Sequence, residues 1–306
     1  MIFIAAVIAA ATAIGVAAER RHGQRADHAA TRLMSVIVWV LMPPVAFFNL
    51  AALHFTAKIG AGIAYGWAAV LGSMTVAWFI GTKRLRLAKP SAGALMLAGA
   101  LGNTGYLGLP FIAALLGFDH LPNAIVYDVL VSSLSTVTVG FAIGAAFGTK
   151  SSAPRERVAA FFTRNPPLWA TAAGLLAPSS VAPQWTLDMS KVIVFLILPL
   201  GFFAVGVILA AEAEEDRVRF PPPLTVPVTW ALALKLALSP AIVIVLDHVL
   251  LGVPDPYLIQ PAMATAIAAI LIANQYGLDR RLTASAIAWS TTVVVTVGLV
   301  ASLVPG

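Results

Sequence analysis

Cysteine is missing from this chain and charged residues are scarce, and each absence excludes a class of function. Without cysteine there is no disulfide, no thiolate nucleophile and no Cys-ligated metal site. Only 10% of the residues are charged, whereas 60% are hydrophobic and the mean hydropathy is +0.92. This composition leaves no room for a soluble domain, so we predict an all-α polytopic membrane protein that lies in a lipid bilayer.

The sequence also has no residue pattern that would support catalysis or ATP-driven pumping. There is no His-Glu-x-x-His string and no Gly-x-x-x-x-Gly-Lys phosphate loop. All five histidines fall in predicted loops or at the ends of hydrophobic segments: His22, His28, His54, His120 and His248. We therefore expect no enzymatic activity, no catalytic residues, no metal site and no cofactor.

Hydrophobic segments recur along the whole chain. A membrane-spanning helix takes about 20 apolar residues, so a chain of 306 residues has room for roughly ten spans joined by short loops. We predict spans at residues 1–18, 33–53, 59–81, 91–116, 124–147, 165–181, 188–211, 224–247, 257–276 and 282–303. The first is followed by Glu19-Arg20-Arg21 and not by a small-residue cleavage site, so we expect it to remain as a helix.

The basic residues predict the orientation of these spans. All but three of the 19 lysine and arginine residues lie in the loops that follow odd-numbered spans, and the exceptions are Lys58, Lys191 and Lys235. Because cytoplasmic loops of membrane proteins are enriched in lysine and arginine, both termini are predicted on the non-cytoplasmic side. The net charge of +6 thus reflects topology, and no nucleic-acid partner is expected.

A polar, helix-breaking stretch interrupts the fourth predicted span. It reads Gly-Asn-Thr-Gly-Tyr-Leu-Gly-Leu-Pro over residues 102–110. Non-helical backbone at membrane depth is tolerated only where it is buried in protein or lines a wet cavity, which favours a ligand or ion site. A simple kink is the alternative, because glycine and proline are common in membrane helices.

Short strings recur at nearly constant separation and indicate an internal repeat. Pro43 and Pro199 close similar apolar strings 156 residues apart, and Val-Thr-Val-Gly ends at Gly140 and at Gly298, 158 residues apart. Two five-helix halves, residues 1–147 and 148–306, are implied, and five is odd, so the second half is inverted relative to the first. Inverted repeats with broken helices at equivalent positions are typical of secondary transporters.

The string Gly102 to Pro110 resembles the fourth-helix signature of the auxin efflux carrier family, here as a bacterial member. Further similarity comes from Leu41-Met42-Pro43, from Lys235-Leu236 with Pro240, and from residues 274–279. The resemblance implies ten helices in which the fourth and ninth are broken and cross. Helices 1, 2, 6 and 7 would form a scaffold, often dimeric, and helices 3–5 and 8–10 a moving, elevator-type transport domain. It also implies a small organic anion as substrate and the bacterial inner membrane as location.

The candidate substrate-binding residues come from both predicted breaks. The first contributes Asn103, Thr104, Gly105, Tyr106 and Pro110, because freed N–H groups and a half-helix dipole attract a carboxylate while amide and hydroxyl groups add hydrogen bonds. Gly117-Phe118-Asp119 and Gly277-Leu278-Asp279 are 160 residues apart, and this separation places the partner break at residues 260–265. The candidates there are Gln260, Met263 and Thr265, and the surroundings are expected to be mainly apolar. Gln260 is equally compatible with a position at the rim.

Two ionisable residues inside predicted spans are candidates for ion coupling or charge balance. Asp128 is expected about one turn into span five, either as a proton- or cation-coupling carboxylate or as a solvated or capping residue near the interface. Lys235 lies midway along span eight, where it would balance the charge of the substrate, pair with Asp128 or extend toward the interface. Whether the coupling ion is H⁺ or Na⁺ is left open.

Two other functions compete with a carrier of organic anions. Broken half-helices also build channels, which a carrier differs from by saturation and counterflow. A sodium-coupled symporter of the bile-acid transporter type has a similar inverted ten-helix plan. The sequence does not specify the substrate, the direction of transport or the oligomeric state.

Overall fold

The computed structural model describes residues 2–149, 166–215 and 222–303, and the secondary structure in these ranges is helical. Twelve helices follow one another in the described part of the chain. They are α1 Ile2–His22, α2 Gln24–Ala51, α3 Ala57–Arg84, α4 Lys89–Ala100, α5 Thr104–Leu115, α6 Phe118–Phe147, α7 Pro166–Leu176, α8 Gln184–Glu215, α9 Val226–Val249, α10 Pro256–Ile259, α11 Ile267–Tyr276 and α12 Arg280–Leu303. The predicted all-α class is confirmed.

Six of the described helices are long and apolar enough to cross a bilayer. They are α2, α3, α6, α8, α9 and α12, and α5 and α11 are shorter apolar helices. The prediction of an integral membrane protein is thereby confirmed. Six of the basic residues that indicate the orientation lie outside the described ranges: Lys150, Arg155, Arg157, Arg164, Arg217 and Arg219.

Helix α2 begins earlier than hydropathy predicted. The apolar segment was expected to start at residue 33, but α2 begins at Gln24, one residue after Gly23 ends α1 with a φ of 49°. The first turns of α2 are polar on one side only. On the other side, Ala26 and Ala30 are buried against Ala204 and Val207 of α8, and this packing extends the helix beyond its apolar part.

Side chains fix several helix ends. Thr56 caps α3 by accepting a hydrogen bond from the Ile59 N–H. Asp279 caps α12 by accepting from the Leu282 N–H at 3.0 Å, while its second carboxylate oxygen accepts from Ser91 of α4 at 2.7 Å. The start of α12 is therefore anchored to the start of α4.

Glycines allow the backbones of α1 and α8, and those of α7 and α2, to lie close together. In α1, a Cβ at Gly15 would collide with the carbonyl oxygen of Phe203, and in α8 a Cβ at Gly206 would collide with that of Thr12. In α7, a Cβ at Gly174 would lie 2.5 Å from the carbonyl oxygen of Phe47 in α2. Helix α1 thus packs along α8, and α7 packs along α2, as small residues allow in membrane proteins.

Helix α4 lies at the centre of a group of helices that also contains α3, α9 and α12. Every residue from Ala92 to Ala100 is buried, because α4 is surrounded by α3, α9 and α12. The chain leaves this buried position at Leu101. The first interruption therefore begins deep inside the protein.

Candidate functional site

Two helical interruptions meet inside the protein. The first follows α4, where Leu101 is extended and Asn103 has φ −82° and ψ 68°; the second precedes α11, where Met263 and Ala266 are extended. The Asn103 N–H donates to the Ala264 carbonyl at 2.7 Å, and the Ala266 N–H donates to the Leu101 carbonyl at 2.9 Å. Backbone groups freed from the helices therefore satisfy one another, as a low-dielectric environment demands.

The side chain of Asn103 lies at this junction without a hydrogen-bond partner in the described part of the chain. The residue is only 4% exposed. Its backbone is fully used, since the carbonyl also accepts from the Gly108 N–H at 3.1 Å. Buried amides are normally paired, so a side chain that offers two donors and an acceptor here is available to a ligand.

Thr104 and Asp128 connect the start of α5 to α6. The Thr104 hydroxyl donates to Asp128 Oδ1 at 2.5 Å, and both residues are buried. Gly105 lies so close that a Cβ on it would be 3.2 Å from both carboxylate oxygens. The carboxylate thus faces the N-terminal turn of α5, where the helix dipole favours negative charge.

Asp128 lies deeper in its helix than the sequence suggested. The span was expected to start at residue 124, which placed Asp128 about one turn inside, but α6 starts at Phe118, so the residue is roughly three turns along the helix. Asp128 and Lys235 both occupy π-helical turns, at Asp128–Ser133 and Leu234–Leu238, and such turns are frequent at functional sites.

Lys235 reaches from α9 to the second interruption. Its Nζ donates to the Pro261 carbonyl at 2.7 Å, and a Cβ on Gly102 would lie 3.0 Å from the same nitrogen. The side chain is 2% exposed. The alternative that Lys235 pairs with Asp128 is wrong, because no ion pair joins them within the described residues and the lysine binds a backbone carbonyl instead.

Gln260 bridges the two halves of the junction. Its Nε2 lies 3.4 Å from the carbonyl oxygens of Thr104 and of Ala124, and the residue is fully buried. A Cβ on Gly108 would collide with its Oε1, which has no hydrogen-bond partner in the described part of the protein. A position at the rim is therefore excluded, and the amide lies in the interior beside the first interruption.

The other predicted residues of the second interruption are apolar or already hydrogen-bonded. Met263 belongs to a buried cluster with Leu107 and Phe202. The Thr265 hydroxyl donates to the Ala98 carbonyl at 2.8 Å, and its N–H donates to Ser290 Oγ at 2.9 Å. Ser290 was not among the candidates, although a serine inside an apolar helix was a readable signal. Its hydroxyl holds the second interruption against α12.

Residues of α2 and α8 border the first interruption. Tyr106 is half-buried, and its ring lies beside Gly201 of α8, where a Cβ would be 3.0 Å from the ring. Met42 lies beside Pro43 in α2. A Cβ on Gly105 would be 3.4 Å from the terminal methyl group of Met42. Pro110 is buried within α5. Neither Met42 nor Gly201 was a candidate, although the repeated prolines Pro43 and Pro199 lie next to them.

The sequence model of a family described as "Membrane transport protein" matches residues 4–153 and 162–301. An uncharacterized transporter of Methanocaldococcus jannaschii is 23% identical over 269 residues, which cover 85% of this chain and 84% of the relative.

Proposed function

The chain belongs to this membrane transport family, the family of the auxin efflux carriers, and we propose that it is a secondary active carrier of a small organic anion. The observation that carries the proposal is the buried, unpartnered amide of Asn103 at the meeting point of two helical interruptions. Irregular backbone of this kind binds substrates near the midplane in transporters.

The chemistry around Asn103 favours an anion. The N-terminal turn of α5 supplies a positive dipole end, and the Lys235 ammonium group lies against Gly102 on the other side of the junction. We assign substrate contacts to Asn103, to the backbone of Gly105 and to Tyr106. Met263, Thr265 and Pro110 shape the junction, because their side-chain polar groups are bonded to the protein or absent. Gln260 lies beside them, with its Nε2 near two carbonyl oxygens and its Oε1 without a partner in the described part of the protein.

Asp128 is the proposed coupling group. An anion bound at Asn103 lies beside the Asp128 carboxylate, and two neighbouring negative charges in a buried site repel each other strongly. A proton taken up by Asp128 removes this repulsion, so that anion and proton travel together. Lys235 balances the charge of the substrate. It also donates a hydrogen bond to the Pro261 carbonyl, a freed backbone group that would otherwise be available to coordinate a sodium ion.

We further propose ten membrane spans arranged as two inverted halves, residues 1–147 and 148–306. Support comes from the two interruptions, which lie in the fourth and ninth predicted spans and contact each other. Helices α1, α2, α7 and α8 pack on one another and would form the scaffold, while the remaining helices would move as the transport domain. Both termini would face away from the cytoplasm in a bacterial inner membrane, and the scaffold would support a homodimer.

Counterflow in proteoliposomes tests the proposal against a channel. Purified protein is reconstituted with a candidate organic acid inside, and a trace of labelled acid is added outside. A carrier accumulates the label transiently and saturates with concentration, whereas a channel only dissipates the gradient. Thermal-shift screening of organic acids selects the candidate, because a ligand of the native state raises the apparent stability.

A further inference from the structure

A cavity opens between α1, α8 and α12. Its volume is about 1200 Å³. Most of its lining is apolar, with Ile8, Phe202, Val205 and Val295 along the walls, and Arg20 and Arg21 lie at one end. None of the predicted substrate or coupling residues lines it, and Phe202 of its wall belongs to the same buried cluster as Met263.

The length of this cavity matches one leaflet of a bilayer. From Ile8 to Arg21, α1 rises by roughly 20 Å at 1.5 Å per residue. Half of the hydrocarbon core is about 15 Å thick, and the headgroup region lies beyond it. An acyl chain along Ile8 and Val205 therefore places a headgroup at the level of the two arginines.

The charge at the end of the cavity selects the headgroup. Arg20 and Arg21 are exposed and belong to the basic last turn of α1. The neighbouring Glu19 is buried and is not part of the lining. Guanidinium groups bind phosphate in bidentate fashion, and the cytoplasmic leaflet, where the orientation proposed above places this end of α1, carries anionic lipids.

We propose that this cavity binds one anionic phospholipid of the cytoplasmic leaflet. Its phosphate would contact Arg20 and Arg21, and its acyl chains would fill the apolar space between α1, α8 and α12. The lipid would join α1 and α8, in the proposed scaffold, to α12 in the proposed transport domain. Binding itself does not require that the protein be a carrier, and it is measured without transport.

The test uses purified full-length protein in detergent with added phosphatidylglycerol or phosphatidylcholine. Native mass spectrometry counts bound lipids, and thermal shift reports stabilisation. We expect one phosphatidylglycerol per chain in preference to phosphatidylcholine. The double variant R20Q/R21Q should lose about thirtyfold in affinity for phosphatidylglycerol, since each basic residue near the surface contributes a factor of about five. It should lose much less affinity for phosphatidylcholine, because the choline cation cancels the net charge of that headgroup.

Two control variants complete the test. R25Q removes an exposed arginine of α2 that is not part of the lining, and it should bind phosphatidylglycerol like the parent protein. Ala13→Phe narrows the cavity and should weaken the binding of both lipids. Equal binding of the two lipids by the parent protein, or unchanged binding by R20Q/R21Q, would overturn the proposal. A dimer that buries the cavity and excludes lipid would also overturn it and would identify a second copy of the chain as the occupant.

Discussion

Thr104 and Asp128 are joined by a hydrogen bond of 2.5 Å between two buried side chains, and this bond links the start of α5 to α6. A hydroxyl that donates to a carboxylate stabilises its ionised form. The same carboxylate faces the N-terminal turn of α5 at Gly105. The Asp128 carboxyl group is therefore held next to the proposed substrate position, and its replacement should affect coupling before it affects folding.

The first prediction concerns this carboxylate. Asp128→Asn removes the charge and keeps the shape, so anion transport should continue but should lose its dependence on external pH. The measurement is initial uptake in proteoliposomes between pH 5 and pH 8, a range that spans about three decades of proton concentration. Thr104→Val serves as the companion variant. It should destabilise the protein by about 1.5–3 kcal/mol, because it removes a hydrogen bond to a charged group.

An unchanged pH profile in Asp128→Asn would reject the coupling role. Additive destabilisation by Thr104→Val and Asp128→Asn would contradict a different point, the stabilising effect of their hydrogen bond, because two residues that share one hydrogen bond should show an interaction energy in a double-mutant cycle.

The second prediction concerns Asn103. Asn103→Ala should abolish counterflow while leaving the thermal midpoint close to that of the parent protein, because the deleted amide makes no hydrogen bond within the described residues. Asn49→Ala is a matched control. Asn49 is also 4% exposed, but its Nδ2 donates to the Val45 carbonyl of its own helix at 2.9 Å.

The control should therefore show the reverse pattern. Asn49→Ala should lower stability by about 1 kcal/mol and keep transport. If Asn103→Ala retained full counterflow, or if it lost transport only together with its folded state, Asn103 would be removed from the binding site.

The third prediction concerns sodium. The Lys235 ammonium group donates to the Pro261 carbonyl at the second interruption, so that this carbonyl is not available to a sodium ion. Transport by the parent protein should therefore be unchanged when sodium is replaced by choline. Lys235→Met keeps the volume and removes the charge. It should weaken substrate binding at least tenfold and lower stability by about 1–3 kcal/mol, because the buried Pro261 carbonyl loses its donor. A strict sodium requirement in the parent protein would favour the bile-acid type of symporter.

The fourth prediction concerns the contact of Gly108 with Gln260. Gly108→Ala places a methyl group against the buried amide and should destabilise the protein by about 1–3 kcal/mol through overpacking. The double variant Gly108→Ala/Gln260→Ala should recover part of that loss, as judged by thermal unfolding. If the effects of Gly108→Ala and Gln260→Ala on stability were strictly additive, the Gln260 amide would move away freely from the new methyl group. It would then not fix the distance between α10 and α5.

Some of the junction could be predicted from sequence, and the reason is local chemistry. Gly102 and Asn103 break an apolar run, so the position of the first interruption was readable. The second interruption has a weaker signal, because Pro261 is followed by Met263 and Ala264, which are apolar and compatible with a helix. Only its separation from the first, through the internal repeat, indicated where it lies.

The partners of the ionisable residues could not be predicted in the same way. Lys235 binds a carbonyl 26 residues away, and that carbonyl is available only because the helix ends there. Hydropathy measures the apolar content of a segment and does not describe which freed backbone group lies opposite which side chain. For the same reason it misplaced Asp128 by two turns, since the polar start of α6 at Phe118-Asp119-His120 reads as a loop.

The two hydrogen bonds between Leu101–Asn103 and Ala264–Ala266 involve only main-chain atoms. A main-chain link is indifferent to which side chains surround it. Relatives with other residues at the positions of Asn103, Tyr106 or Gln260 can therefore keep the same junction while they bind different substrates. Under the proposed function, side chains would set the substrate preference and main-chain groups would connect α4 to α11, so a change of side chain would leave the connection in place.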